Sequence, residues 1–198
     1  MPYRMRVFAR DLRRIPVRDL RSQIDAAKFA LTADREDDDW REAVIRHKNG
    51  EDIAIIERDA VTDGSVALEE IEEFVEESEA IKPGSAARWL RNELPKVKVI
   101  FVFQVLHGTD LKDGWDPLHK IFSFVRETGN GFSQADLEGF SNDDGDQITW
   151  DFSDRVSGKW NMALLQQGKW LTFEMELGDP EQKREFMQGQ VPAGAKLL

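Results

Sequence analysis

The sequence predicts an α+β fold: a mixed N-terminal part with a hairpin, two helices and a central strand, followed by a helix and a four-stranded antiparallel meander. Three observations lead to this class. A hairpin signal is centred on Asn49-Gly50, apolar residues recur at helical spacing in several segments before Gly131, and their spacing becomes alternating after it. Because no Gly/Ser-rich linker divides the chain, we expect 1–198 to form a single α+β domain, with 107–114 as the one candidate subdivision.

The N-terminal part begins with a predicted strand and helix. Polarity alternates over 3–8, which is typical of a short strand. After Pro16, an apolar stripe over 17–24 with spacings of three and four predicts a helix of about three turns. A second short strand is predicted at 29–32, before an acidic loop.

The clearest local signal in the chain lies at 40–58. Two runs rich in Val and Ile flank Asn49-Gly50, a pair that suits the positive φ values of a type I′ turn. The sequence therefore predicts a β-hairpin with strands over 40–47 and 52–58.

An acidic helix is predicted after Ser65, which suits the N-cap position. Its apolar residues over 68–75 step at three and four, and Pro83-Gly84 ends it. The rest of its circumference carries carboxylates: Glu69, Glu70, Glu72, Glu73, Glu76, Glu77 and Glu79.

Two further helices flank a buried strand. Ser85 is the predicted N-cap of a helix that Pro95 stops. The residues over 97–106 form a nearly continuous β-branched and aromatic run, which predicts a strand covered on both faces. The next helix is predicted to start at Asp116-Pro117 and to close at Gly129.

The last third of the chain predicts the meander. Alternating runs occupy 132–140, 147–152, 159–166 and 169–177, and short turns join them. Asp179-Pro180-Glu181-Gln182 resembles a capping box for a last short helix. We expect the tail over 189–198 to be frayed.

Composition and charge exclude several classes of protein. The chain has 198 residues, 27 Lys plus Arg, 38 Asp plus Glu and a formal net charge of -11. The absence of cysteine excludes disulfide frameworks, thiolate metal sites and cysteine nucleophiles. No apolar run approaches the roughly 18 to 20 residues of a membrane span, and no signal peptide is evident. We therefore expect a soluble, cytoplasmic protein without a membrane partner.

Charge is distributed unevenly along the chain. The segment 1–24 holds seven arginines and two aspartates, so the remainder is strongly acidic. This basic segment is either a binding arm for an anionic ligand or the outer face of the first strand and helix, and the sequence leaves both open. Direct binding to nucleic acid is disfavoured, because a chain of net charge -11 is repelled by phosphates.

Known catalytic motifs are absent from the sequence, including HExxH, the phosphate-binding loop and the nucleophile elbow. Two sets of residues remain as catalytic candidates. His107 ends the buried strand next to Asp110, and Asp136 and Glu138 share one face of a predicted strand. If either set lines a concave pocket, the protein is a small hydrolase or lyase-like enzyme. The acidic turn over 142–146 fits a hairpin turn better than a calcium loop, so no metal or cofactor is expected.

The leading functional hypothesis is a non-enzymatic binding protein. A dense carboxylate face suits a basic protein partner, since charge raises the association rate and the specificity. Exposed tryptophans would add contact area, and a large apolar patch around one of them would indicate a homo-oligomer. The candidate binding residues are Glu72, Glu73, Glu76, Glu77, Trp115 and Trp170.

Overall fold

The structure is a computed structural model that describes residues 3–12 and 14–198. It contains two compact units: unit 1 comprises Met1–Leu68 and Val97–Gly131, and unit 2 comprises Glu69–Lys96 and Phe132–Leu198. Helices and strands occur in both, so the α+β class is confirmed. The single domain stays a prediction, and the segment 107–114 lies inside unit 1. Arg13 of the basic segment lies outside the described residues.

The helices and strands follow one another along the whole chain. The helices are α1 (Val17–Arg21), α2 (Val66–Glu77), α3 (Gly84–Glu93), α4 (Trp115–Thr128) and α5 (Pro180–Met187). The strands are β1 (Arg4–Ala9), β2 (Phe29–Ala33), β3 (Glu42–His47), β4 (Asp52–Ala60), β5 (Val99–Val105), β6 (Gly131–Ala135), β7 (Gly139–Ser141), β8 (Lys159–Gln166), β9 (Lys169–Glu176) and β10 (Lys196–Leu197). In the part of the chain that the structure describes, no helix is long and apolar enough to cross a membrane.

Five antiparallel strands form the sheet of unit 1, in the spatial order β2-β3-β4-β5-β1. The β-branched and aromatic strand β5 pairs with β4 on one side and β1 on the other, and its residues 99–103 are buried. The predicted central strand is therefore confirmed. Behind it, Phe103 meets Phe122 of α4 edge to face at 5.1 Å.

The hairpin of β3 and β4 is confirmed, but its turn differs from the prediction. The N–H of His47 donates to the carbonyl of Glu51, so three residues form the loop. Gly50 has a φ of 101°, whereas Asn49 is not among the residues with positive φ. A type I′ turn needs positive φ at both central positions, so that prediction is wrong. The three-residue loop needs the left-handed conformation at its glycine alone.

Three helices differ from the prediction, α1 in its length and α3 and α4 in their first residue. The helix α1 has only five residues and ends at Arg21, with Ser22 as its C-cap, and Ser22 Oγ donates to the carbonyl of Asp19. The helix α3 begins two residues earlier than predicted, with Pro83 as its N-cap, and Ser85 lies inside its first turn. The helix α4 begins at Trp115 with Gly114 as its N-cap. By contrast, the N–H of Leu68 donates to Ser65 Oγ at 3.1 Å, as the predicted cap of α2 requires.

The four-stranded meander is wrong, because unit 2 contains the hairpin of β6 and β7 and a three-stranded sheet in the order β10-β9-β8. The predicted strand over 132–140 is divided into β6 and β7, since the chain reverses through Leu137 (φ 65°) and Gly139 (φ 101°). The segment 147–152 is not a strand, and within it Gln147 forms isolated bridges with Ser141 and Met162. Downstream, β8 and β9 pair as predicted.

The end of the chain is ordered rather than frayed. Lys196 and Leu197 form β10, which pairs with β9. The helix α5 is capped as predicted: the carboxylate of Asp179 accepts the N–H groups of Glu181 and Gln182 at 2.9 and 3.2 Å. The C-terminal segment also packs against a core cluster of unit 2, to which Val191 and Ala195 contribute. The buried members of this cluster are Trp150, Phe152, Met162, Leu164, Phe173, Met175, Leu177 and Phe186.

Candidate functional site

The acidic helix α2 packs within unit 2 by one face and presents carboxylates on the other. Ile71 is buried, and the ring of Phe74 meets that of Phe140 edge to face at 5.3 Å. The candidate binding residues on the opposite face are all exposed: Glu72, Glu73, Glu76 and Glu77. None of these four carboxylates forms an ion pair with a residue that the structure describes. We call them the α2 carboxylate row.

A cavity of about 320 Å³ adjoins the end of this helix. Its walls combine aromatic rings with charged groups, and the residues that matter chemically are Phe74, Phe140, Trp150, Glu77, Asp151 and Lys82. This volume is at the lower end of the range of roughly 300–1,000 Å³ found for small-molecule sites. Because Glu77 belongs to the carboxylate row, the row ends at the cavity.

Hydrogen bonds of the segment 147–151 hold the wall opposite α2. The buried Gln147 donates from Nε2 to the carbonyl of Glu138 at 2.7 Å and accepts from Ser141 Oγ at 3.0 Å. Thr149 Oγ1 accepts the N–H of Phe140 at 2.7 Å. The N–H groups of Ile148 and Asp151 also donate to the backbone carbonyls of Phe140 and Glu138, so backbone and side-chain bonds together hold Trp150 and Asp151 in place.

Asp151 has an unusual setting for a carboxyl group. The residue is exposed, but neighbouring groups displace part of the water around the carboxyl and so raise its pKa. Perturbed carboxyls in cavities mark candidate binding or catalytic sites. Beside it, Trp150 is only 8% exposed, and its Nε1 has no hydrogen-bond partner among the described residues.

Trp150 also lines a second, smaller cavity of about 210 Å³. There, Lys183 Nζ lies 5.2 Å from the centroid of a Trp150 ring and 3.0 Å from Asp154 Oδ1. An ammonium thus already rests on this indole with a carboxylate beside it, an arrangement that cation–π attraction stabilises.

The first pair of predicted catalytic residues lies in unit 1. His107 and Asp110 occupy a 3-10 turn after β5, with Nδ1 and Oδ2 4.0 Å apart. Their side chains are 99% and 86% exposed. Both side chains are therefore surrounded by solvent rather than by the walls of a pocket.

The second pair, Asp136 and Glu138, lies in unit 2, in the turn between β6 and β7. These residues do not share the face of one strand, because Leu137 between them takes a φ of 65° and reverses the chain. Both are half-buried. The structure therefore brings neither pair into the cavity beside α2, where the carboxyls are those of Glu77 and Asp151.

The two candidate tryptophans differ in exposure. Trp115, in unit 1, is 38% exposed, and its ring lies 5.3 Å from that of His119 and 6.5 Å from that of Tyr3. Trp170, in unit 2, is half-buried and packs edge to face against Trp89 at 5.3 Å. Trp115 thus exposes aromatic surface to solvent, whereas much of the Trp170 side chain is buried against other residues of unit 2.

Sequence reasoning missed Trp150, Asp151 and Thr149 as site residues. It assigned the segment 147–152 to a strand, in which Trp150 belongs to the core face and Asp151 to the solvent face. The signal that could have found them is the set of polar residues at alternate positions, Gln147, Thr149 and Asp151. In the structure the first two are buried and bond the backbone, which brings the third to the cavity.

No cluster of His, Asp and Glu suited to a metal ion occurs among residues 3–12 and 14–198. Comparisons with known proteins identify no relative. The chain matches no protein-family model, and no curated protein or solved structure matches it significantly.

Proposed function

We propose that this protein is a non-enzymatic binding module that uses the α2 carboxylate row to recognise a basic segment of a partner protein. The observation that carries the proposal is that these four exposed carboxylates have no cationic partner among the described residues. An uncompensated row of like charge is unfavourable in the isolated protein and favourable once a cationic surface meets it.

The row differs in this respect from acidic residues elsewhere in the chain. Many of those are paired: Glu36 with Arg21, Asp37 with Arg35, Asp52 with Arg46, Asp113 with Lys28, and Glu174 with Lys159. Such pairs neutralise their surface locally and leave little charge for a partner. The α2 row retains its full charge.

The spacing of the row suits an extended basic segment. Glu72 and Glu76 are four residues apart, as are Glu73 and Glu77, so each pair lies about 6 Å apart along the helix surface. Lysines at alternate positions of an extended peptide are separated by roughly the same distance. Electrostatic recognition of this kind mainly increases the association rate and weakens as salt screens the charges.

Fluorescence anisotropy with defined peptides tests the proposal. The probe is a fluorescein-labelled nine-residue Gly/Ser peptide with lysines at three alternate positions, and its counterpart carries glutamates there. We expect the lysine peptide alone to bind, and its affinity to fall by at least tenfold between 50 and 300 mM salt.

Two charge-matched variants locate the binding surface. E72Q/E76Q removes two charges from the row, whereas E51Q/D63N removes two exposed charges from unit 1. The proposal requires the first variant to lose several-fold in affinity and the second to behave as the wild type. Equal affinities for the two variants would contradict it, because net charge rather than the α2 row would then control binding.

A further inference from the structure

We infer that the cavity beside α2 receives the side chain of a lysine from the basic segment, with its hydrocarbon stem against the aromatic wall and its ammonium group at Asp151. This inference rests on the proposed function, because the cavity adjoins the α2 carboxylate row through Glu77. It specifies the residue type that anchors the partner and the residues that receive it.

The walls of the cavity suit a hydrocarbon stem. Phe74 and Phe140 form an edge-to-face pair at 5.3 Å, and Ile81 and Met187 add aliphatic surface. A lysine carries four methylenes before its charge, so it can cover apolar surface while the ammonium remains at a polar group. A short cation would leave this wall in contact with water.

The charges at the cavity suit an ammonium group. Glu77 and Asp151 both line it, and their carboxyls outnumber the single ammonium of Lys82. Neighbouring groups have already removed part of the hydration of Asp151, and this burial raises its pKa. A cation placed there restores favourable interactions for the ionised carboxylate.

The neighbouring cavity shows the same chemistry within the chain. Lys183 Nζ lies over a Trp150 ring at 5.2 Å and 3.0 Å from Asp154 Oδ1. Trp150 also lines the cavity beside α2, where Asp151 takes the place of Asp154 and no lysine of the described residues pairs with it. The proposed ligand lysine would complete a second ammonium–carboxylate pair beside the same indole.

A peptide fits the site better than a free alkylamine. A peptide carries further residues on both sides of its lysine, whereas an alkylamine ends at its stem. The carboxylate row beyond the cavity also offers positions for the further cations of a basic segment.

Substitution of Lys82 tests whether the cavity binds a cation or an anion. It is exposed and lines the cavity, so it repels an incoming ammonium. K82Q should therefore tighten binding of the lysine peptide by about two- to fivefold, since it removes a like-charge contact at the surface. D151N should weaken it by about tenfold, as loss of a charged partner does. If the cavity bound an anionic group instead, K82Q would weaken binding and D151N would strengthen it.

NMR titration of the ¹⁵N-labelled full chain follows the cavity and the helix separately. The probe is the three-lysine peptide, compared with a version whose lysines are norleucine, which keeps most of the stem and lacks the charge. The indole Nε1–H signal of Trp150, assigned with W150F, reports on the cavity, and the backbone amides of 70–77 report on α2. We expect both sets of signals to shift with the lysine peptide and neither with the norleucine peptide.

The outcomes separate the inference from the proposed function. If the α2 amides shift while the Trp150 indole does not, and D151N binds like the wild type, the lysine does not enter the cavity although the row still binds. If neither set of signals shifts, the proposed function fails together with the inference. D144N, which removes an exposed carboxyl elsewhere in unit 2, is the matched control and should leave the affinity unchanged.

Discussion

The ring of Phe74 on α2 meets the ring of Phe140 on β7 edge to face, with centroids 5.3 Å apart and planes at 82°. Phe140 is buried, whereas Phe74 is half-buried and also lines the cavity. The pair therefore joins the packing of the acidic helix to the wall of the candidate site. We therefore expect substitutions at this contact to change both stability and the proposed binding.

The first prediction concerns this pair. F74A should lower the free energy of unfolding by about 2 kcal/mol, because it removes a half-buried ring and its aromatic contact. Urea denaturation followed by circular dichroism measures the change. V66A lies on the exposed side of the same helix and should change stability by less than about 0.5 kcal/mol. Equal effects of the two substitutions would show that helix propensity, rather than the aromatic contact, is being measured.

The second prediction concerns Gly139, at the start of β7. It has a φ of 101°, and a Cβ there would overlap Thr149 Oγ1, which accepts the N–H of Phe140. G139A should therefore cost about 3 kcal/mol through backbone strain and the lost bond. Gly158 has a φ of 107° with no atom within 4 Å of the position of a Cβ, so G158A carries the strain alone, about 1 kcal/mol. Thermal or urea unfolding measures the loss of stability in each variant. Equal losses for G139A and G158A would rule out the overlap with Thr149.

The third prediction concerns Asp151 and pH. Loss of hydration raises the pKa of its carboxyl above the ordinary value of 3.8, so the folded state favours the protonated form. Its contribution to stability is fully present below that value and is lost as pH rises through the raised pKa. At pH 7, D151N should therefore be more stable than the wild type, and the difference should close towards pH 3.

Urea unfolding of both proteins at pH 3, 5 and 7 measures this difference, with D144N as the control for a change of charge. The other groups that could act on Asp151 from the cavity are Glu77 and Lys82. Both remain in D151N and in the control. A wild type that is more stable than D151N at pH 7 would contradict the assigned direction.

The fourth prediction has the opposite sign and concerns Asp179, the N-cap of α5. The backbone N–H groups of Gln182 and Glu181 donate to its carboxylate and lower its pKa. Its contribution to stability is present above the ordinary pKa and is lost as pH falls through the lowered one. D179A should lower the free energy of unfolding at pH 7, and lower it less at low pH. D179N keeps an acceptor, so it should retain most of the cap and lose its pH dependence; equal losses for both variants would contradict the assignment.

Much of the fold could be predicted from local sequence. The alternating runs around Asn49-Gly50 form β3 and β4, the continuous apolar run forms the buried β5, and Ser65 caps α2. Each depends on interactions between residues close in sequence or on the period of the apolar residues. Such signals act before any tertiary contact forms.

The meander could not be predicted, because its failure depends on hydrogen bonds between distant residues. The segment 147–152 alternates like a strand, but the side chains of Gln147 and Thr149 bond the backbone of the 138–140 segment. These side-chain bonds satisfy groups that a strand ladder would otherwise pair. An alternating pattern of apolar residues indicates which side chains are buried. It does not indicate which partners the backbone N–H and C=O groups bind.

The sequence by itself determined the α+β class, the main hairpin, the central strand and the position of the carboxylate row on one helix. Only the tertiary structure decided where the candidate site lies, because Phe74, Phe140, Asp151 and Met187 come together from four separate segments. Burial, desolvation of a carboxyl and an aromatic wall are properties of that assembly. No local pattern of residues specifies them, since each arises from atoms that are distant along the chain.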